Sequence, residues 1–365
     1  LTGSTGPQPP SPALGVYVHI PFCASRCDYC AFATWADRAH LAEAYLEALV
    51  RDIEGAAARG LPAASTVFVG GGTPSHVPPE QIARVLRAIP RTNDAEVTVE
   101  CNPEDVTPSV VEVLGMAGVN RLSLGVQSMV PHVLQALGRS HDPASVATAV
   151  AAARTAGITN LNLDLIYGAA GESLGDWRAT LDAAIDLGPA HVSAYALTVE
   201  AGTALAAEPR RHPDDDDQAD KYALATERLA AAGFDWYEIS NWARPGHRCR
   251  HNLLYWSQGD YLGFGCAAHS HRQGRRWWNV RTPERYIQAI RSGTSPEAGA
   301  EQLDADGRRL EALQLAIRTA DGVPVEALDD DDALALDGLV VRRADRLVLT
   351  EQGRLLANEV AVRLR

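Results

Sequence analysis

Cys23, Cys27 and Cys30 fall within eight residues of one another in His19-Ile-Pro-Phe-Cys-Ala-Ser-Arg-Cys-Asp-Tyr-Cys, directly after the apolar run 16–20. Thiolates are soft ligands suited to iron–sulfur clusters. Three of them can hold three corners of a four-iron cluster and leave the fourth iron open for chemistry. Zinc is the alternative, but a closed zinc site takes four Cys or His ligands, usually as two separated pairs. No second cysteine pair is present, and His19 on a strand points away from the loop as easily as towards it. The spacing favours a cluster, with zinc as the standing alternative.

Something must hold such a loop, and the chain downstream alternates short apolar runs with helix-periodic ones. Strands are predicted at 16–20, 66–69, 96–99, 119–124, 158–166 and 191–197. Helices are predicted on the Leu41/Tyr45/Leu49/Ile53 repeat and at 79–89, 108–116, within 131–156, and at 174–187. Strands alternating with helices predict an α/β fold on a parallel sheet with right-handed crossovers. Six units suit a partial (β/α)6 barrel, and a doubly wound flat sheet is the other arrangement they fit.

Barrel enzymes collect their chemistry where strands end, and each predicted strand end here carries something unusual. The first delivers the cysteine loop and the second runs into Gly70-Gly-Gly-Thr-Pro74. The third ends at Glu100 beside Asn102, and the fourth at Gly125-Val-Gln127. The fifth carries Asp164, and the sixth Tyr195, Ala196 and Thr198. Read singly, the glycine run is as much a turn as a ligand loop, and it lacks the Gly-x4-Gly-Lys phosphate signature. Glu100 or Asp164 alone reads first as a salt-bridged or capping carboxylate. Their shared placement at strand ends raises the ligand reading. Cys101, adjacent to Glu100, should face the other way.

The Cys-x3-Cys-x2-Cys run after Tyr17-Val-His-Ile-Pro-Phe22 resembles the radical S-adenosylmethionine (SAM) superfamily, and within it the coproporphyrinogen dehydrogenase group, over nearly the whole chain from about Val16. The resemblance implies a partial barrel with a small C-terminal cap, and a 4Fe–4S cluster held by Cys23, Cys27 and Cys30. It also implies SAM contacts at Tyr17, Tyr29, Gly71, Gly72, Thr73, Glu100, Gln127, Arg139 and Asp164, with Ala196 on the same rim. One departure matters. Where the dehydrogenases carry a further cysteine two residues after the third, this chain has Phe32, which is similar to the HemW-type haem-chaperone branch.

A second region, Cys249-Arg-His251-Asn252-Leu-Leu-Tyr255-Trp256, is similar to that branch's signature, which the family ties to haem. An imidazole is a good axial iron ligand and flat aromatic rings pack a porphyrin face. On the residues alone, hydrogen-bonded His251 and Asn252 with core aromatics would be the simpler reading. Together with Phe32, the resemblance makes His251 the candidate haem ligand and Asn252, Tyr255 and Trp256 its neighbours. Cys249 and Cys266 read as buried, inert thiols. The function so implied is binding haem and delivering it to an acceptor protein, with a one-electron reductant for the cluster. The alternative is oxygen-independent oxidative decarboxylation of coproporphyrinogen III.

At 365 residues the chain exceeds one ordinary core, and a hydrophobic fraction of 46% supports a large domain with an appendage. The divisions expected are a disordered leader at 1–13, the barrel at 14–240, an extension carrying the haem motif and packed on the barrel at 241–300, and a winged-helix-like domain at 301–365. A net charge of −13 argues against bulk nucleic-acid or anionic-membrane binding. A DNA-binding regulator is a minor reading, resting only on Arg342, Arg343 and Arg346 at the wing. No run reaches membrane-spanning length, though a membrane protein could be a transient haem acceptor. Six cysteines are too few for a disulfide scaffold, and an exposed cluster loop needs a reducing compartment, so the expected location is cytoplasmic. The acidic runs 213–217 and 329–332 read as solvated loops near helix starts and lack the spacing of calcium loops.

Overall fold

The computed structural model describes residues 13–365, so the leader expected at 1–13 lies, Ala13 apart, outside the described residues. Six strands, β1 (Leu14–Ile20), β2 (Ala64–Gly71), β3 (Arg91–Cys101), β4 (Arg121–Gln127), β5 (Asn160–Tyr167) and β6 (His191–Ala196), pair in sequence order and all in parallel. Helices α1 (Ala42–Ala58), α2 (Pro79–Ala88), α3 (Pro108–Met116), α4 (Pro131–Ala136), α5 (Ala144–Thr155) and α6 (Leu174–Asp186) fill the crossovers. Every predicted strand and helix of this region is present, with ends shifted by a few residues.

Side-chain alternation decides between barrel and flat sheet. Val16, Val18, Val67, Val69, Val97, Val99, Leu122, Leu124, Leu161, Leu163 and Val192 point one way, into a single core with the apolar faces of the helices. Their neighbours Tyr17, Thr66, Phe68, Glu96, Thr98, Glu100, Arg121, Ser123, Asn162, Asp164, His191 and Ser193 point the other way. A doubly wound sheet needs apolar residues on both faces; this one has helices outside and a polar, concave inside. In a flat sheet β1 and β6 would lie five strand spacings apart, roughly 24 Å. Here the loop after β1 and the end of β6 line one cavity, so the sheet is curved into a partial barrel.

The stretch 241–300 packs on the barrel through its helix and also lengthens the sheet at both edges. After α7 (Asp215–Ala231), β7 (Asp235–Glu238) and β8 (Asn241–Ala243) add antiparallel strands beyond β6. Beyond helix α8 (Arg250–Trp256), β9 (Asp260–Phe264) lies parallel to β1. Strands β10 (His269–Arg272), β11 (Arg275–Asn279) and β12 (Glu297–Gln302) follow antiparallel, giving twelve strands in all. The acidic run 213–217 is not a loop. Asp214 caps α7 through the Asp217 amide, and residues 215–217 form its first turn, where carboxylates meet the positive end of the helix dipole. Asp329 likewise caps the helix Asp330–Ala335.

The C-terminal segment has its own small core around Ile317, Val323, Leu347, Leu349 and Val360 and a three-stranded sheet with a two-stranded wing at Val340–Arg343 and Arg346–Leu349. After the wing come two short helices, Glu351–Leu355 and Ala357–Ala361, parted at Leu356. This segment joins the barrel through α9 (Ala305–Ala316) and through the Ala320 amide, which donates to Tyr237 O at 2.9 Å. No residue beyond Glu200 lines the main cavity among the described residues.

The lower part of the concave face is filled by α8. Glu96 on β3 accepts from the Arg250 and His251 amides at 3.1 and 3.0 Å and from Cys249 Sγ at 3.6 Å. Arg121, fully buried on β4, supplies the opposing charge. Replacing Glu96 with Ala strands two buried amides, and the expected loss is about 2–3 kcal/mol. Urea unfolding followed by tryptophan fluorescence checks it; a change under about 0.5 kcal/mol would show that Glu96 does not anchor α8.

Candidate functional site

The strand ends converge on one cavity of about 510 Å³, within the ~300–1,000 Å³ usual for small-molecule sites. Its walls include Cys23, Cys27 and Cys30, the Gly71-Gly-Thr73 loop, Glu100, Gln127, Arg139, Asp164 and Ala196, with Tyr29 beside the cysteine loop. Nine of the ten SAM-contact candidates are thus brought together. Tyr17 is not among them: its hydroxyl bonds His19 Nδ1 at 2.9 Å and its ring stacks on Phe68 below the cavity.

All three thiols are free and partly exposed. They line one wall without converging, and among the described residues no three His, Cys, Asp or Glu gather on a single-ion site. A four-iron cluster places its irons at separate corners, so spread thiols fit it and a lone zinc ion less so. His19 is engaged at both ring nitrogens, by Tyr17 and by Ala33 O, and does not face the cavity as a fourth ligand. Gly72 packs so tightly that a Cβ there would meet Phe22 O at 2.7 Å and Cys23 Sγ at 3.0 Å. Gly71, at φ +116°, takes a conformation that side chains disfavour and turns its amide onto Glu100 Oε2 at 3.1 Å. Arg139 reaches Asn102 Oδ1 at 2.8 Å, Gly125 O at 3.0 Å and Cys27 Sγ at 3.7 Å, tying the far wall to the cysteine loop.

The opposite wall is acidic. Burial, and then the neighbouring Asp164, push Glu100 up to about 7. Asp164 is also raised by burial, which its hydrogen bonds from Ser123 and Asn162 partly offset. Gln127 sits at φ 64° at a bulge between β4 and β5, and its Oε1 is buried without a partner. A strained residue aiming an orphan acceptor into a cavity marks a place for a ligand donor. Cationic, amine-bearing ligands suit such a wall; phosphates do not. Ser123, Asn102 and Tyr195 also line it. Ser123 faces the cavity because it lies two residues before Gly125 on an alternating strand, a signal open to sequence reading. Cys101, expected to face away, packs in the core yet also borders the cavity.

The second motif lies elsewhere. His251 is 1% exposed. Its Nδ1 bonds Thr66 Oγ1 at 2.8 Å, its Nε2 bonds Tyr255 OH at 2.9 Å, and its ring stacks on Phe68. Asn252 donates to Glu238 Oε1 at 2.9 Å and to Tyr237 OH at 3.3 Å. Trp256 is partly buried with its Nε1 unpartnered. As the chain is folded here, His251 offers no nitrogen to an iron, and none of the four residues touches the cavity. Burial, then Arg121, lower His251 to about 3, so it stays neutral. Cys249 is a buried thiol pushed up to about 11 by burial, and Cys266 is buried against Tyr45.

Residues 17–184 match the radical SAM superfamily. In structure, the chain is similar to the coproporphyrinogen III oxidase HemN of Escherichia coli, a radical SAM enzyme, with a TM-score of 0.84 at 25% identity over 97% of this chain and 90% of that one. This fold and this cavity make the chain a member of the radical SAM superfamily, a class that works with a 4Fe–4S cluster and SAM. It is 46% identical to the haem chaperone HemW of Mycobacterium tuberculosis, over 97% of this chain and 95% of the relative. It is 35% identical to HemW of Escherichia coli, over 96% and 97%. The chain belongs to the HemW family. Among the described residues no helix is long and apolar enough to cross a membrane.

The raised carboxyl of Glu100 predicts a pH dependence. Its folded-state value of about 7 lies above the ordinary 4.5. The native state therefore holds the proton more tightly, and stability from this group is lost as pH rises from about 4.5 through about 7. Glu100→Gln removes that loss. Thermal melts of the ligand-free variant and parent should diverge in the variant's favour between pH 5 and about 7.5; parallel curves would contradict the assignment.

Proposed function

We propose that this protein binds haem and passes it to an acceptor protein. Its 4Fe–4S cluster is held by Cys23, Cys27 and Cys30. An exchangeable SAM sits on Gly71, Gly72, Thr73, Glu100, Gln127, Arg139, Asp164 and Ala196, beside Tyr29. The observation that carries this reading is full-length kinship with curated haem chaperones in a chain whose residue 32 is Phe. The Phe32 side chain is 71% exposed beside Cys30 at the cavity mouth. A phenyl group cannot ligate metal, and so large an apolar surface held in water suits a flat apolar ligand or a partner's surface.

When bound, the cluster and SAM supply one-electron cleavage of a carbon–sulfur bond. This chain's residues bind and orient. The acidic wall of Glu100 and Asp164 opposes SAM's positive charge, Gln127 accepts from its donors, and the close-packed glycines admit it to the backbone. A cytoplasmic location, where thiols stay reduced and a one-electron reductant is at hand, suits the free cysteine loop.

Three measurements test the reading. Hemin titrated into anaerobically reconstituted protein should saturate near one equivalent in the Soret region. Sustained conversion of coproporphyrinogen III to protoporphyrinogen by the same preparation would overturn the choice in favour of the dehydrogenase. Cys30→Ser should lose the cluster's visible absorbance after reconstitution; retention would show that Cys30 is not a ligand.

A further inference from the structure

An axial haem ligand needs a ring nitrogen that is both free and reachable. The chain has eleven histidines. His19, His191, His251 and His271 have both ring nitrogens in internal hydrogen bonds. His141 is buried, His212 bonds Leu205 O, and His132 stands against Asp176. His40, His76, His247 and His269 engage neither ring nitrogen among the described residues, and His132 and His212 each keep Nδ1 free. Of these, only His269 stands against an aromatic ring among the described residues: it stacks on Trp278 with centroids 5.9 Å apart and planes 29° from parallel.

Resting on the haem-binding reading above, we propose that His269 on β10 is the residue that ligates haem iron, with Trp278 as the platform beside it. The two are register partners on adjacent antiparallel strands, which puts their side chains on one face of the sheet. The His269 side chain is exposed and accepts or donates no hydrogen bond among the described residues, while Trp278 is only partly covered. Arg281, exposed and unpaired among the described residues, follows β11 and supplies positive charge for carboxylate side chains of a porphyrin.

The face continues downward into the second motif. Tyr261 pairs with His271 across β9 and β10, and its ring meets Tyr255 edge-on at 4.7 Å. Tyr255 in turn holds His251. Arg276, two residues before Trp278, is fixed by Glu301 and Glu311. His251, Asn252 and Tyr255 are therefore positioning residues: they brace the sheet that carries His269 and do not touch the iron. A change at His251 would then weaken haem binding through the fold.

The test uses the full chain with its cluster reconstituted, titrated with hemin, for the parent, His269→Ala, His251→Ala and, as a surface control, His40→Ala. Affinity, the Soret maximum and the ferric spin state are read, with a thermal melt of each. His269→Ala should melt like the parent, bind roughly tenfold or more weakly, lose the histidine-ligated spectrum, and regain it on adding imidazole. His251→Ala should melt earlier yet, below its transition, keep the histidine-ligated spectrum. Binding and spectrum unchanged in His269→Ala would overturn the inference while leaving the haem reading intact. So would a His251→Ala variant that melts like the parent but loses the ligated spectrum. No saturable binding by the parent would remove the haem reading and the inference with it.

Discussion

A carboxylate taken out of water must be given donors or a cation, or it holds its proton. Three carboxylates lie on the concave face of this barrel, and the way each is satisfied shapes the rest of the molecule. Glu96 takes the first amides of α8 and a thiol, and so fixes the segment that fills the barrel's lower half. Asp164 takes Ser123 and Asn162. Glu100 takes one amide, from Gly71, and is left short. The floor is satisfied and rigid; the cavity above it is not.

That shortfall is concentrated where ligands belong. Gln127 is strained and has an orphan acceptor, Gly71 is in a left-handed conformation, and burial pushes Glu100 up to about 7. Local rules broken together at one rim are what a binding site leaves in a sequence otherwise consistent with its fold. The floor follows them. Asn162 gives its amide to Asp164 and so can only accept from His191 Nδ1, which leaves Nε2 to accept from Tyr237 OH. Tyr237 oxygen then receives Asn252. One hydrogen-bond chain runs from a cavity carboxylate to the second motif, with the tautomer of His191 fixed along the way.

The six strands, their order and most of the rim were legible because alternation and strand ends are local properties. Glu100, Gln127 and Asp164 line the cavity where strand ends and family likeness together put them, and Arg139 where likeness alone did. The parts that were not legible depend on long-range pairing. Nothing near Glu96 says that its acceptors will meet amides more than 150 residues away, and nothing near His251 says that Thr66 will take its Nδ1. The same holds for β9, which pairs with β1 from the far end of the chain. The acidic run at 213–217 was misread as a loop because charge was weighed above helix capping, although Asp at the N-cap and first turn is what a helix start favours. Tyr17 was placed on the rim by likeness alone; its alternation puts it inside the barrel, but one level too low.

A curved sheet with helices on one side has only one face on which to do chemistry, and this chain extends that face past the barrel. Strand β9 continues it beyond β1, and β10–β12 carry it outward into solvent. The cluster loop ends β1, while His269 begins β10, two strands away on the same rim. Tyr17 and Phe68 fill the space beneath. A ligand as broad as a porphyrin would crowd a cavity of about 510 Å³ shared with the proposed SAM. An open shelf beside it does not face that limit. With haem at the proposed His269 site, extending the sheet separates cargo from the cavity while keeping both on one sheet. A chaperone that must release its haem to another protein needs it in such an accessible place, outside an enclosed barrel.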